Sequence, residues 1–388
     1  MHFSRPQVIL ALLPFGVTLI TLGVFLLFFY QNTVTFSSPT PFEITYHDHR
    51  YPSVDNQVSL TASAGEQTFV ASQPSYESQT FTLNVPWYKP TKKPIGLRFV
   101  PQSSQLKDFV IPPLGIASTI SDTVTILSQS GSTLPDLTPY SRAVISLQGE
   151  EACLFSTNGS KVIHWQASDG QLQVLPEGTV ECAIRGDQVV PVIYNDGHIQ
   201  IGDLKVAITL PDQWQLITSP YEETALVIST DTNDRKKIQL LTKDGANTIG
   251  SFATVAPQAR FINNSLWALT TKDATLIFNN DQQISQLSSL IPVQSILTTA
   301  NPLNDGFDMY YITKQKDLSL DQLLQNTPPQ TQLIRMDSRT QDTTVISTLP
   351  TDTAVSGSRI DTSAAPTLLY TVLTPTPQLL RVQIGPEL

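Results

Sequence analysis

The feature that most limits how this chain can fold is a strand–turn–strand pattern that recurs from about residue 118 to the end. The turn markers Gly159, Gly197, Asn233 and Asp273 are 38, 36 and 40 residues apart, and short apolar runs flank them. Asn, Asp and Gly at such positions are typical of tight turns between antiparallel strands. The pattern therefore predicts repeating units of about forty residues, each with four short strands.

A repeat of this length is typical of a β-propeller, so we predict an all-β fold with a propeller over residues 118–388. Six blades can be counted, and a seventh would exist if 97–117 contains another. The last unit, Thr367–Ile384, stops after its third strand, and Thr123–Leu127 is available to supply the fourth and close the ring. A pair of β-sandwiches is the competing architecture, but the regular spacing favours the propeller.

The N-terminal region contains a run of 23 residues, Val8–Tyr30, without a charged side chain. A helix of this length extends about 35 Å, which exceeds the hydrocarbon core of a bilayer at about 30 Å. The run is longer than the apolar core of a cleaved signal peptide, and no A-x-A pattern follows it. We therefore expect an uncleaved, single-pass transmembrane signal-anchor helix over 8–30.

The distribution of charge predicts the orientation of this helix. Arg5 precedes the span, the next basic residue is Arg50, and all 33 acidic residues follow the span. By the positive-inside rule, residues 1–7 lie in the cytoplasm and the bulk of the chain lies outside the plasma membrane. The net charge of −10 also argues against a nucleic-acid partner, because phosphate binding needs a basic face.

Residues 31–86 predict a small β-sandwich of short strands, because apolar and polar residues alternate in segments such as Phe42–Tyr46. This region resembles PEGA-type domains, small surface β-sandwiches that are common in bacterial envelope proteins. The matching features are a strand that ends in an acidic turn, a glycine that opens the next strand and a Pro-x-Tyr before the last strand: Phe42–Asp48, Ala64–Val70 and Pro74-Ser75-Tyr76. The resemblance covers about residues 34–85 and implies an envelope location with adhesion or scaffolding, without catalytic residues.

Residues 87–117 are rich in proline, which predicts a connector between the sandwich and the propeller. Four of its basic residues are Lys89, Lys92, Lys93 and Arg98. The first acidic residue of this segment is Asp108. This basic stretch fits either a solvated linker or a weak contact with anionic lipid or wall polymer, because a few exposed charges bind weakly at physiological salt.

One insertion, 314–330, interrupts the repeat. Leu318, Leu320, Leu323 and Leu324 are spaced as in a short amphipathic helix. Loops on a propeller face commonly bind partners, so these leucines are candidate partner-binding residues. An insertion without a partner fits the sequence equally well.

Cys153 and Cys182 are the only cysteines in the chain and fall in adjacent predicted blades. Outside the membrane they can form a disulfide, and closing a loop of about thirty residues would stabilise the fold by about 3 kcal/mol. The neighbouring Leu154 and Ala183 predict buried strands, so two buried free thiols are the alternative.

No cluster of residues specifies a catalytic site, a cofactor or a metal. The sequence has no phosphate-binding loop, no dinucleotide-binding glycine motif and no nucleophile elbow. His47 and His49 would supply only two metal ligands. We therefore predict a membrane-anchored binding or scaffold protein that presents its propeller to a protein or glycan partner. The alternative, a glycoside hydrolase or lyase acting on envelope polysaccharide, needs at least two carboxylates at the channel mouth.

Overall fold

In the computed structural model, the residues that are described form β-strands and one short 3₁₀ helix. The described ranges are 31–106, 114–120, 123–128, 135–146, 150–159, 161–186, 188–231, 233–253, 258–288, 291–315, 329–350, 353–361, 365–372 and 378–386. The predicted anchor, Val8–Tyr30, lies outside these ranges. Within them, no helix has the length and apolar character needed to cross a bilayer. The chain divides into two compact units, residues 1–100 with 300–306, and residues 101–299 with 307–388.

The first unit contains seven strands in two sheets. These strands are β1 (Gln31–Ser37), β2 (Glu43–Tyr46), β3 (His49–Pro52), β4 (Gln57–Ser63), β5 (Gly65–Ser72), β6 (Gln79–Val85) and β7 (Thr91–Pro94). The sheets have the strand orders β4-β1-β7 and β3-β2-β5-β6. Residues of β4 alternate between buried and exposed, as expected for a strand that covers a core with one face. Both sheets contribute to one hydrophobic core, so this unit is a small β-sandwich.

Aromatic rings fill the core of the sandwich. Phe36 and Phe69 are fully buried with ring centroids 5.0 Å apart, and Tyr46 stacks on Phe69 at 4.9 Å. His47 forms part of the turn between β2 and β3, and His49 begins β3. The described residues contain no group of three or more side chains that could hold a metal ion.

The second unit contains strands β8 to β33 and the 3₁₀ helix η1. Their bounds are β8 (Gln102–Leu106), β9 (Leu114–Ile120), β10 (Thr123–Ser128), β11 (Tyr140–Ile145), β12 (Glu151–Ser156), β13 (Val162–Gln166), β14 (Leu172–Val174), β15 (Thr179–Arg185), β16 (Gln188–Asn195), β17 (His198–Ile201), β18 (Leu204–Ala207), β19 (Trp214–Thr218), β20 (Ala225–Thr230), β21 (Lys236–Thr242), β22 (Gly245–Phe252), β23 (Gln258–Phe261), β24 (Leu266–Thr270), β25 (Ala274–Asn279), β26 (Gln282–Ser288), η1 (Val293–Ser295), β27 (Leu297–Ala300), β28 (Phe307–Lys314), β29 (Thr331–Asp337), β30 (Thr343–Leu349), β31 (Val355–Asp361), β32 (Thr367–Val372) and β33 (Gln378–Gln383).

Most of this unit consists of six four-stranded antiparallel sheets. Five are formed by consecutive strands from β11 to β30, and the sixth has the order β31-β32-β33-β8. The hairpins predicted from the repeat are confirmed as the second and third strands of their sheets; Ala152 pairs with Trp165, for example. The predicted turn Asp196-Gly197 has φ values of 49° and 73°, as a two-residue hairpin turn of type I′ requires.

The inner strands of these sheets follow one another around a circuit, as in a β-propeller. β12 and β13 contact β15, β15 contacts β19, β19 contacts β23, and η1 contacts both β23 and β31. A two-stranded sheet of β9 and β10 completes the circuit, because β9 contacts both β31 and β11. The predicted six blades are therefore present as four-stranded sheets, and the two-stranded sheet occupies a seventh position.

The strand that closes the last sheet differs from the prediction. Thr123–Leu127 does not supply it; this segment lies in β10, which pairs with β9. The closing strand is β8, in which Gln102 lies opposite Gln383. β8 is an outer edge strand that needs only backbone pairing on one side, so its polar sequence carries no strand signal.

The segment 87–117 also differs from the proline-rich connector that the sequence predicts. It supplies β7 to the sandwich, β8 to the last propeller sheet and β9 to the two-stranded sheet. Ile95 and Leu97, which follow β7, are buried in the sandwich core. Proline is tolerated at strand ends and sheet edges, and Pro94 is the last residue of β7. The prolines here therefore delimit short edge strands.

A disulfide and an ion pair link the first two four-stranded sheets. Cys153 of β12 and Cys182 of β15 are buried and bonded, with an S–S distance of 2.01 Å and a Cα–Cα distance of 6.6 Å. In the same two sheets, Arg142 Nη1 lies 2.7 Å from Glu181 Oε2. Of the two alternatives for the cysteines, the structure contains the bridge.

Candidate binding site

The inner strands of the propeller enclose a cavity of about 400 Å³. Its wall is formed by residues of β11, β15, β19, β23 and β31 and by the η1 segment before β27. Much of this wall is apolar, including Ile145, Ile184, Ile217 and Phe261. The cavity therefore lies at the centre of the blade circuit, and its surface favours apolar groups.

Arg260, in β23, is the polar centre of this cavity. Its Nη1 donates to the carbonyl of Gln294 at 2.5 Å and to Ser358 Oγ at 2.7 Å. Its Nη2 donates to the carbonyl of Ser358 at 2.6 Å. Because Gln294 lies in η1 and Ser358 in β31, these bonds join β23 to the η1 helix and to β31.

The cavity is positively charged. Within the part of the chain that the structure describes, Arg260 forms no ion pair with a carboxylate. Arg359 also lines the cavity, where it has interactions of its own. Burial lowers the pKa of Arg260, while Tyr221 and Tyr370 act in the opposite direction. A guanidinium still carries its proton at neutral pH, so the charge of this site is retained.

Two tyrosines next to Arg260 add no negative charge at neutral pH. Tyr221 lines the cavity and donates its hydroxyl to the carbonyl of Ile262 at 2.9 Å. Burial raises the pKa of Tyr221, and it raises the pKa of Tyr370 well above the ordinary value. Both phenols therefore stay protonated around Arg260.

This arrangement suits the binding of an anionic group. Arginine has five N–H donors, and three of those on Arg260 are used by the carbonyls and hydroxyl described above. Two donors remain for a ligand, and a guanidinium binds a carboxylate with charge-assisted hydrogen bonds. The apolar wall would contact the neighbouring uncharged part of the same ligand.

The cavity does not contain the groups that acid–base catalysis on a glycan needs. Its described lining residues include no Asp, Glu, His or Lys. A glycoside hydrolase generally uses two carboxylates on either side of the bond that it cleaves, and the lining lacks this pair.

A second, more polar cavity of about 800 Å³ lies between the sheets that contain β21 and β25. Its wall includes Glu222, Glu223, Asp244 and Asp281 together with Lys243. These acidic residues do not form a metal-binding group among the described residues. We therefore assign this cavity no ligand.

The candidate site residues predicted from the sequence do not include Arg260. The leucines of the insertion, Leu318, Leu320, Leu323 and Leu324, lie outside the described residues. The two ends of the insertion lie next to each other, because the backbone N–H of Gln315 donates to the carbonyl of Gln330 at 2.7 Å. Cys153 and Cys182 lie together in the fold, as described above.

Sequence reasoning missed Arg260, because nothing local in the sequence separates it from the other arginines of the propeller. An arginine recurs in the first strands of four sheets: Arg142, Arg185, Arg260 and Arg359. Only Arg260 and Arg359 line the cavity. Arg142 pairs with Glu181 and Arg185 lies 3.7 Å from Glu223, so the recurrence alone does not identify the site. The first strands themselves had to be assigned before this pattern could be recognised.

Comparison with known proteins gives this protein no identity. No family model matches the chain, and no curated protein matches its sequence. A β-propeller domain from Myceliophteria thermophila is 12% identical, with a TM-score of 0.41, over 72% of this chain and 99% of that one. A structure of BBS1N in complex with ARL6DN is 12% identical, with a TM-score of 0.42, over 74% and 98%.

An oligogalacturonate lyase from Vibrio parahaemolyticus is 11% identical, with a TM-score of 0.40, over 82% of this chain and 94% of that one. At these values, nothing about binding or activity is carried over from those proteins. The class of this protein is therefore set by its own sheets: it is an all-β protein with propeller-like four-stranded blades.

Proposed function

We propose that this protein is a membrane-anchored, extracytoplasmic binding protein whose propeller holds a protein partner in its central cavity. The partner segment carries a carboxylate beside apolar side chains. One observation carries this proposal: Arg260 faces an apolar cavity without a carboxylate partner among the described residues. A half-buried cation without a counter-charge is costly to the extent that it is removed from water, and a bound anionic group would supply a counter-charge.

The apolar wall favours a peptide over a glycan as the occupant. Ile184, Ile217 and Phe261 present hydrocarbon surface, which matches apolar side chains better than the hydroxyl groups of a sugar. A propeller scaffold surrounds the cavity with inner strands, so the ligand groups are held on rigid elements.

The location outside the membrane is part of the proposal and rests on sequence. The uncharged run Val8–Tyr30 is long enough to span a bilayer, and Arg5 precedes it. The PEGA-like pattern over about 34–85 implies a surface module of the envelope. The bridge between Cys153 and Cys182 is compatible with an oxidising compartment.

Capture of the partner by purified full-length protein tests the proposal. Arg260→Gln keeps a polar side chain but removes the charge, and hydrogen bonds to charged groups contribute about 1.5–3 kcal/mol. We expect partner recovery from envelope extracts to fall about tenfold or more. Arg260→Lys keeps the charge without the guanidinium fork and should bind with intermediate strength.

The matched control is Arg50→Gln in the sandwich, where the arginine side chain is 76% exposed and lies 3.7 Å from Glu43. This variant should capture the partner as wild type does. Thermal unfolding of each variant verifies that the fold persists. If wild type and Arg260→Gln recover equal amounts of the partner, the proposal is contradicted. If only a glycan is recovered, the partner is a sugar and the proposed protein partner is wrong.

A further inference from the structure

Two adjacent aromatic side chains are strongly exposed on the sandwich. Trp87 is 53% exposed and Tyr88 is 64% exposed, and their ring centroids lie 5.8 Å apart. The next residue, Lys89, places its Nζ 5.5 Å from the centroid of the Tyr88 ring. An exposed aromatic pair beside a lysine is a candidate interaction surface.

This aromatic loop lies beside the first described residues of the chain. The side-chain amide of Asn32 donates to the carbonyl of Pro86 at 2.8 Å and also to the carbonyl of Lys89. Strands β1 and β7 run parallel with Val34 opposite Thr91. Gln31 is the first residue of β1 and directly precedes Asn32, which holds the loop through these two bonds. The aromatic pair is therefore located where the chain leaves the proposed anchor.

The strand that follows the loop adds positive charge. Lys92 and Lys93 of β7 are exposed at the edge of the three-stranded sheet. Lysine on an edge strand also prevents pairing with other strands. That role accounts for the lysines of β7 but does not account for the exposed rings of Trp87 and Tyr88.

We propose that the loop containing Trp87, Tyr88 and Lys89 inserts into the interfacial region of the bilayer that holds the anchor. Together with Lys92 and Lys93, it binds anionic phospholipid headgroups and fixes the sandwich against the membrane surface. This inference rests on the proposed anchor, because the anchor places Gln31 at the end of the span.

The chemistry and the dimensions of the loop fit this occupant. Tryptophan and tyrosine are enriched at membrane–water interfaces, where the ring is in an apolar layer and the polar atom is hydrated. Lysines near the surface are attracted to anionic lipid. Gln31 directly follows Tyr30, and a strand advances only about 3.4 Å per residue. The loop thus lies within reach of an interfacial layer about 5–7 Å thick.

The test uses the full-length protein reconstituted into anionic phospholipid vesicles whose acyl chains carry bromine near the headgroup end. Bromine quenches tryptophan fluorescence at short range. Trp165 and Trp267 are 1% exposed, so they serve as an internal unquenched background. We expect wild-type emission to be quenched by brominated lipid, and we expect Trp87→Phe to lose at least about half of that quenching.

The matched control is Trp214→Phe, which removes a half-buried tryptophan of the propeller. This variant should retain the wild-type quenching. Retention of the protein in the membrane after an alkaline carbonate wash reports separately on the anchor. If the protein is retained in the membrane but Trp87 is not quenched, the proposed lipid contact of the loop is wrong and the anchor stands. If Trp87 is quenched but the protein is not retained, the proposed anchor is wrong and the lipid contact of the loop is supported. If neither is observed, both proposals are wrong.

Discussion

Two arginines of the propeller illustrate opposite ways of holding a positive charge. Arg142 pairs with Glu181 at 2.7 Å and lies 3.8 Å from the centroid of the Phe155 ring. Arg260 instead bonds to backbone carbonyls and to Ser358, with no carboxylate partner among the residues that the structure describes. The first arrangement joins two blades. The second leaves a cation available to a ligand.

The Arg142–Glu181 pair makes stability depend on pH. Burial raises the pKa of Glu181 above its ordinary value of 4.5, and Arg142 partly counteracts this effect. The folded state then binds the proton more tightly than the unfolded chain does. The stabilisation from protonated Glu181 is therefore complete below pH 4.5 and is lost as the pH rises through the raised folded-state pKa.

Urea unfolding over a range of pH measures this effect. As the pH rises from 4.5, the free energy of unfolding of wild type should fall relative to that of Glu181→Gln. The exposed variant Glu66→Gln is the control for changes in net charge. A constant difference between wild type and Glu181→Gln would contradict the effect assigned to burial.

At the scale of elements, the bridge between β12 and β15 predicts a clear change on reduction. Cys153 and Cys182 are 29 residues apart in sequence. In the chain-entropy model, closing a loop of this size stabilises the folded state by about 3 kcal/mol. The double variant Cys153→Ser with Cys182→Ser should lose about this much of its free energy of unfolding in denaturant titrations.

Thiol titration of the unfolded wild-type protein tests the bridge itself. Without reductant, we expect no reactive thiol, and after reduction we expect both cysteines to react. Two reactive thiols before reduction would show that the native protein holds free cysteines. In that case the double variant should be as stable as untreated wild type, which would contradict the predicted loss.

The sequence predicted the hairpins of second and third strands well and edge strands poorly. The difference follows from how apolar these strands are. Ala225–Thr230, the second strand of its sheet, is apolar and almost fully buried, and its turn residues mark both ends. Edge strands such as Gln102–Leu106 and Thr91–Pro94 pair on one side only. Their sequences are mostly polar, so a hydrophobic pattern does not reveal them.

At the scale of the whole molecule, the binding site could not be predicted because it belongs to no single repeat. The cavity is lined by inner strands that are separated by up to about two hundred residues, such as β11 and β31. Arg260 and Ser358 are 98 residues apart in sequence. Only the closure of the blade circuit brings these groups together.

The proposed topology predicts how protease reaches the chain in intact cells. In this proposal, a span over 8–30 with Arg5 before it would orient the C-terminal units outward. External protease should therefore remove a tag placed after Leu388, and it should leave a tag placed before Met1 intact until the cells are permeabilised. Protection of the C-terminal tag would contradict an extracytoplasmic propeller.

Site-specific photo-crosslinking in intact cells tests most directly whether the central cavity binds the partner. A photoreactive residue replaces Ile217 in the cavity wall, or Val345 on an outer strand, where the side chain is 51% exposed. We predict a discrete protein adduct from position 217, none from position 345, and loss of the adduct when Arg260→Gln is added. An adduct from position 345 alone, or one from position 217 that persists without Arg260, would contradict binding through this cavity.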